Sequence, residues 1–96
     1  MTGENQLLSL LEEADYLLED ILLSGFHSIQ TSSLEKLQKL KNDFDSYGME
    51  KGKELLNRLF VELNKRRNSF GYEVDTITET FCSIEFYVRT AKNRLE

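Results

Sequence analysis

The stretch that most constrains this chain is residues 74 to 95. Val74, Ile77, Phe81, Ile84, Val88, Ala91 and Leu95 follow one another at alternating intervals of three and four. That spacing puts all seven on one stripe of a helix, the pattern of a helix packed lengthwise on partners. The β-branched members add little intrinsic helix propensity, so burial must supply the stability. A long helix of this kind needs other helices to lie against.

The rest of the chain provides them. There is no proline and there are five glycines, which favours long helices joined by short turns. The spacing predicts helices over 5–23, 33–46, 49–67 and 73–95. Thr2 and Asn5 are candidate N-caps of the first. Its stripe is Leu7, Leu11, Ala14, Leu18 and Ile21, widened by Leu8, Leu10, Leu17 and Leu22, which suits contact with two neighbours. Ser24-Gly25 closes it, with the glycine in the left-handed C′ position. Phe26 and Ile29 are too apolar for a free loop and are expected to cover one end of the core. Ser32-Ser33-Leu34-Glu35 contains S-x-x-E, a capping box that starts the second helix. Leu34, Leu37, Leu40, Phe44 and Tyr47 are its stripe, and Gly48 ends it.

Leu55, Leu56, Leu59, Phe60 and Leu63 are the expected core positions of the third helix. Gly52, near its start, costs about 1 kcal/mol against alanine; it either permits a close helix crossing or frays the end. Asn68-Ser69-Phe70-Gly71 reads as a turn, and Thr76-Ile77-Thr78-Glu79 as a second capping box, which would start the fourth helix a turn later. Four helices on such short connections make consecutive helices antiparallel neighbours. The expectation is an all-α, up-down-up-down four-helix bundle forming one domain over residues 1–96. The alternative is a three-helix bundle with the second helix laid across one end.

Composition narrows the function more by exclusion than by indication. The chain is 40 % apolar and 30 % charged, as in soluble globular proteins. No apolar run approaches the length of a membrane span, and no secretory signal opens the chain. Cys82 is the one cysteine, so no intrachain disulfide forms and a cytoplasmic location is expected. His27 is the one histidine and no E-x-x-H occurs, so the di-iron pattern of carboxylate bundles is absent and a zinc site lacks ligands. Glu12, Asp15 and Glu19 read as a solvated face. Cys82 reads as a small apolar filler beside the stripe. Neither a catalytic residue nor a cofactor site is expected, and the chain reads as no enzyme.

Charge is uneven. Residues 1 to 35 carry seven carboxylates and no Lys or Arg, within a net charge of −5. Arg58, Lys65, Arg66 and Arg67 form a candidate basic patch, with Arg89, Lys92 and Arg94 as a second group. A sequence pI near 4.9 and the lack of a stacking or helix-turn-helix motif weigh against nucleic acid and for helix-end charge. The apolar surplus is more telling. Phe86 and Tyr87 lie beside the fourth stripe, and Leu10 and Leu17 beside the first, as a candidate protein interface or homodimer seam.

The run Leu17-Leu18-Glu19-Asp20-Ile21-Leu22-Leu23-Ser24-Gly25-Phe26, followed by Leu34-Glu35-Lys36-Leu37 and by Gly48 before the third helix, resembles the helical region flanking the zinc finger in bacterial SWIM zinc-finger proteins. The finger's Cys and His ligands have no counterpart here. The resemblance implies a helical accessory domain of a larger protein whose activity lies elsewhere. The expected function is therefore a non-catalytic protein-interaction or scaffold module, binding a protein partner or itself. The alternative is a nucleic-acid-associated accessory domain using the basic patch.

Overall fold

The computed structural model describes residues 2–25, 29–68 and 74–95, with side chains at 6–25, 29–65 and 75–94. Four helices follow in order: α1 (Thr2–Ser24), α2 (Thr31–Ser46), α3 (Glu50–Asn68) and α4 (Val74–Leu95). Each touches its two neighbours in a square, α1 against α2 and α4, α3 against α2 and α4, and neither diagonal pair approaches closely. The molecule measures 46 × 23 × 21 Å. Two helix diameters of about 10 Å account for both short dimensions, so α2 runs alongside its neighbours rather than across one end. The fold is an all-α four-helix bundle.

The stripes account for the core. Leu11, Ala14, Leu18 and Ile21 of α1 meet Leu34, Leu37, Leu40 and Phe44 of α2, Leu55, Leu56, Leu59 and Leu63 of α3, and Ile77, Phe81, Ile84 and Val88 of α4 in one buried cluster. Burial of each of these side chains, Ala14 apart, contributes about 1.5–3 kcal/mol. Leu10 and Leu17 also belong to this cluster, at 5 % and 6 % exposure, so the expectation that they present an outer surface is corrected: α1 lies between two neighbours, and these residues fill its flanks. Leu22 and Leu23, further along the same helix, point to solvent. Ile29 is buried, covering the core end as expected. Phe26, His27 and the 69–71 turn lie outside the described residues, as do the side chains of Thr2, Asn5, Val74 and Leu95; α1 is already helical at Thr2, so Asn5 sits within the first turns rather than capping them.

Turns follow the glycines. Gly25 has φ 87° and Gly48 φ 74°, the left-handed region that an L side chain rarely adopts. Gly25 N–H donates to Ile21 O at 3.0 Å, a simple left-handed cap. At the end of α2, Met49 N–H donates to Phe44 O and Gly48 N–H to Asp45 O, both at 3.0 Å, which together make a Schellman motif. Met49 packs against the core beside Phe44's helix, as that motif favours.

The two capping boxes are corrected. α2 begins at Thr31 with Gln30 as N-cap and no side-chain cap bond; the Ser33 and Leu34 N–H groups both reach Gln30 O instead. Ser32 is already inside the first turn, where its hydroxyl turns back toward Gln30 Oε1 at 3.5 Å. α4 is helical from Val74, ahead of Thr76, and the Thr80 hydroxyl donates to Thr76 O at 3.2 Å, a buried polar group satisfied within its own helix.

Candidate functional site

Four seams run between the helices, and their side chains differ in kind. The α1/α2 seam carries charges of both signs. Glu13 and Asp20 face Lys36 and Lys39 across Tyr16, Leu17 and Leu40. Lys39 Nζ donates to Asp43 Oδ2 at 3.1 Å. That hydrogen bond, then the charges of Asp43 and Glu13, raises the Lys39 pKa above its ordinary value. Nearer the α1 start, Tyr47 Oη donates to Gln6 Oε1 at 3.3 Å beside Glu13 and Asp43. The α1/α4 seam is likewise mixed: Asp15 and Glu85 with Arg89 and Lys92, and Lys92 Nζ meets Asp15 Oδ2 at 2.7 Å. Between α2 and α3, Lys53 reaches Asp45 at 3.3 Å.

The α3/α4 seam differs from these. It opens into a groove of about 880 Å³. Leu7, Met49, Leu55, Tyr87 and Ala91 give it an apolar base, and Cys82, Ser83, Phe86 and Thr90 form the α4 side. Phe86 stands 68 % exposed at its edge. Lys51, Arg58 and Arg94 supply its charge, and no carboxylate lines it among the described residues.

Gly52, near the start of α3, is buried where that helix meets α2 and α4, with the rings of Phe44 and Tyr87 close against it. Of the two readings of this glycine, close crossing is the one realised. The Phe44 and Tyr87 rings lie 6.5 Å apart at 42°, a tilted aromatic contact. Tyr87 is therefore half-buried, anchored inward, while Phe86, one residue earlier and about 100° round the helix, is left outside. Of the four candidate interface residues, Phe86 and Tyr87 come together in this groove; Leu10 and Leu17 are in the core.

The basic candidates divide. Arg58 lines the groove, and Lys65 lies further along the outer face of α3 with Lys51, Glu54 and Glu62. Carboxylates thus interrupt the cations on that face. The side chains of Arg66 and Arg67 lie outside the described residues. Arg58 Nε faces Glu62 Oε2 at 3.5 Å, while Glu62 Oε1 is buried without a hydrogen-bond partner. The i,i+4 spacing of Arg58 and Glu62 was visible in the sequence; the burial of Glu62, at 5 % exposure, was not.

Cys82 corrects another expectation. It is exposed on the groove wall rather than packed in the core. Phe81 and Ile84 take the inward positions of that turn, and the small buried filler beside them is Thr80. Glu12 and Glu19 are exposed, and Asp15 is drawn into its pair with Lys92. No helix is long and apolar enough to cross a membrane among the described residues. No three His, Cys, Asp or Glu side chains among them gather as metal ligands. No family model matches the chain, and neither does any curated protein or solved structure.

Proposed function

We propose that this chain is a non-catalytic protein-interaction or scaffold module that docks a helical segment in the α3/α4 groove. The observation that carries the reading is the groove itself: about 880 Å³, apolar at its base, open to solvent, with Phe86 standing exposed at its edge. Apolar surface left open between helices is where bundles take partners. The same reading suits an accessory domain of a larger protein, as the resemblance to the SWIM zinc-finger helical region implies. The hydroxyls and thiol of the groove, Ser83, Thr90 and Cys82, have no His or carboxylate beside them among the described lining residues, which supports docking over catalysis.

Screening the immobilised chain against a displayed library of helical segments tests this. Phe86→Asp serves as the counter-screen, since an exposed side chain contributes little to stability. Binders that the substitution abolishes support the reading. A library that yields none dependent on Phe86, with the variant's melting temperature unchanged, sinks it.

A further inference from the structure

We infer that the segment taken by the α3/α4 groove is an acidic amphipathic helix of another protein, about three turns long. The inference rests on the docking reading above and adds the chemistry of the occupant. Length comes first. The groove's α4 side runs from Cys82 to Arg94, about 18 Å at 1.5 Å per residue. A guest helix of about 11 to 12 residues matches that length, and its apolar face would repeat at i, i+3/i+4 and i+7 to meet Leu55, Phe86 and Tyr87.

Charge then selects the flanks. The chain carries a net charge of −5, yet the described residues of this groove include three cations and no carboxylate. Lys51 and Arg94 have no acidic partner within ion-pair distance among the described residues. Arg58 touches Glu62 only at the long distance of 3.5 Å, with its side chain 59 % exposed. The α1/α2 and α1/α4 seams, by contrast, neutralise their own charges with mixed sets. Lys51 and Arg94, set along an apolar trough and unpaired among the described residues, select a guest with carboxylates beside its apolar stripe.

A second copy of the chain is disfavoured as the guest on geometry. Its exposed acidic strip is Glu12, Tyr16, Glu19 and Leu23 on α1, the corner of the square diagonal to α3. That strip faces away from the α3/α4 groove, so one partner copy cannot fill both at once about a two-fold axis, and the contact would run head to tail without closing.

The test fixes leucines at i, i+4, i+7 and i+11 of a displayed 14-residue helix and randomises the flanking positions among Glu, Lys and Gln. Selection is on the full chain. Glutamate enriched in binders that depend on Phe86 supports the inference, as does a loss of about ten-fold or more in affinity for Lys51→Glu with Arg94→Glu, or on raising salt. Lysine enrichment, or no charge preference, overturns the acidic helix while leaving the docking groove in place. Absence of any Phe86-dependent binder overturns the docking reading instead. Two further results would give the groove to a different occupant and overturn the inference: a 20-nucleotide single strand displacing the selected peptide at comparable concentration, or a wild-type dimer in light scattering that Phe86→Asp dissolves.

Discussion

The ring of Phe44 lies so close over Gly52 that a single methyl group has no room between them. A Cβ built on Gly52 would fall 2.8 Å from Phe44 Cε2 and 2.8 Å from Tyr87 Cε2, inside the distance that real Cβ atoms keep. Phe44 is fully buried, so its ring has nowhere to swing. Gly52→Ala gains about 1 kcal/mol of helix propensity but overpacks this crossing at a cost of about 1–3 kcal/mol. The expected result is a net loss of up to about 2 kcal/mol in urea unfolding. Recovery in the double variant with Phe44→Leu, beyond the sum of the single effects, would assign the loss to the contact. An Ala variant as stable as the parent would show that the crossing gives way.

Glu62 presents the opposite case, a side chain whose removal helps. Its carboxylate is buried, one oxygen meets Arg58 at 3.5 Å and the other meets nothing. Replacing a poorly satisfied buried charge with an apolar group of similar size is often neutral or stabilising, while Arg58 stays in water. Glu62→Leu is expected to raise stability by about 1 kcal/mol, measured as a shift in denaturation midpoint at unchanged slope. A loss exceeding that amount would mean the Arg58 pair is worth more than its geometry suggests.

The α1/α4 seam is pinned by Lys92 and Asp15 at 2.7 Å, with side chains 25 % and 42 % exposed. Partial exposure screens the pair. A double-mutant cycle with Lys92→Met and Asp15→Asn is expected to give a coupling of about 0.5–1 kcal/mol. Coupling near zero would leave that seam to Leu18, Ile84 and their neighbours alone.

Cys82 offers a direct check on the groove. As an exposed thiol it is expected to react with Ellman's reagent in the native state at one equivalent, without denaturant. Protection until the chain unfolds would place it in the core and close the groove wall.

Much of the architecture was legible because it is local. Helix stripes obey the 3.6-residue period, and among the described residues Gly25 and Gly48 mark turns that need a left-handed residue. The first capping box misled because Gln30 caps α2 through its backbone, two residues before the Ser32 that the motif favoured. The groove was half legible. Phe86 and Arg58 stood out separately, one as apolar surplus and the other as charge. That they share a groove depends on how α3 is set against α4, which no intrachain spacing encodes. The inward turn of Leu10 and Leu17 and the outward turn of Cys82 depend likewise on where neighbouring helices sit.

The square arrangement, with no approach across either diagonal, also orders the assembly of the chain. Three of the four interfaces join helices consecutive in sequence, so each closes a short loop at small entropic cost; only α1 on α4 brings distant segments together. Low contact order of this kind gives folding on the microsecond-to-millisecond scale. The α2–α3 hairpin, hinged on the Schellman turn at Gly48, is the natural nucleus, and the α1/α4 seam forms after it. Leu37→Ala and Leu56→Ala should therefore slow folding, whereas Leu18→Ala and Ile84→Ala should chiefly speed unfolding. Stopped-flow rates showing the reverse would move the nucleus to the chain ends. The groove lies in a seam between consecutive helices, so its walls are set by a local contact rather than by the α1/α4 seam that closes the bundle.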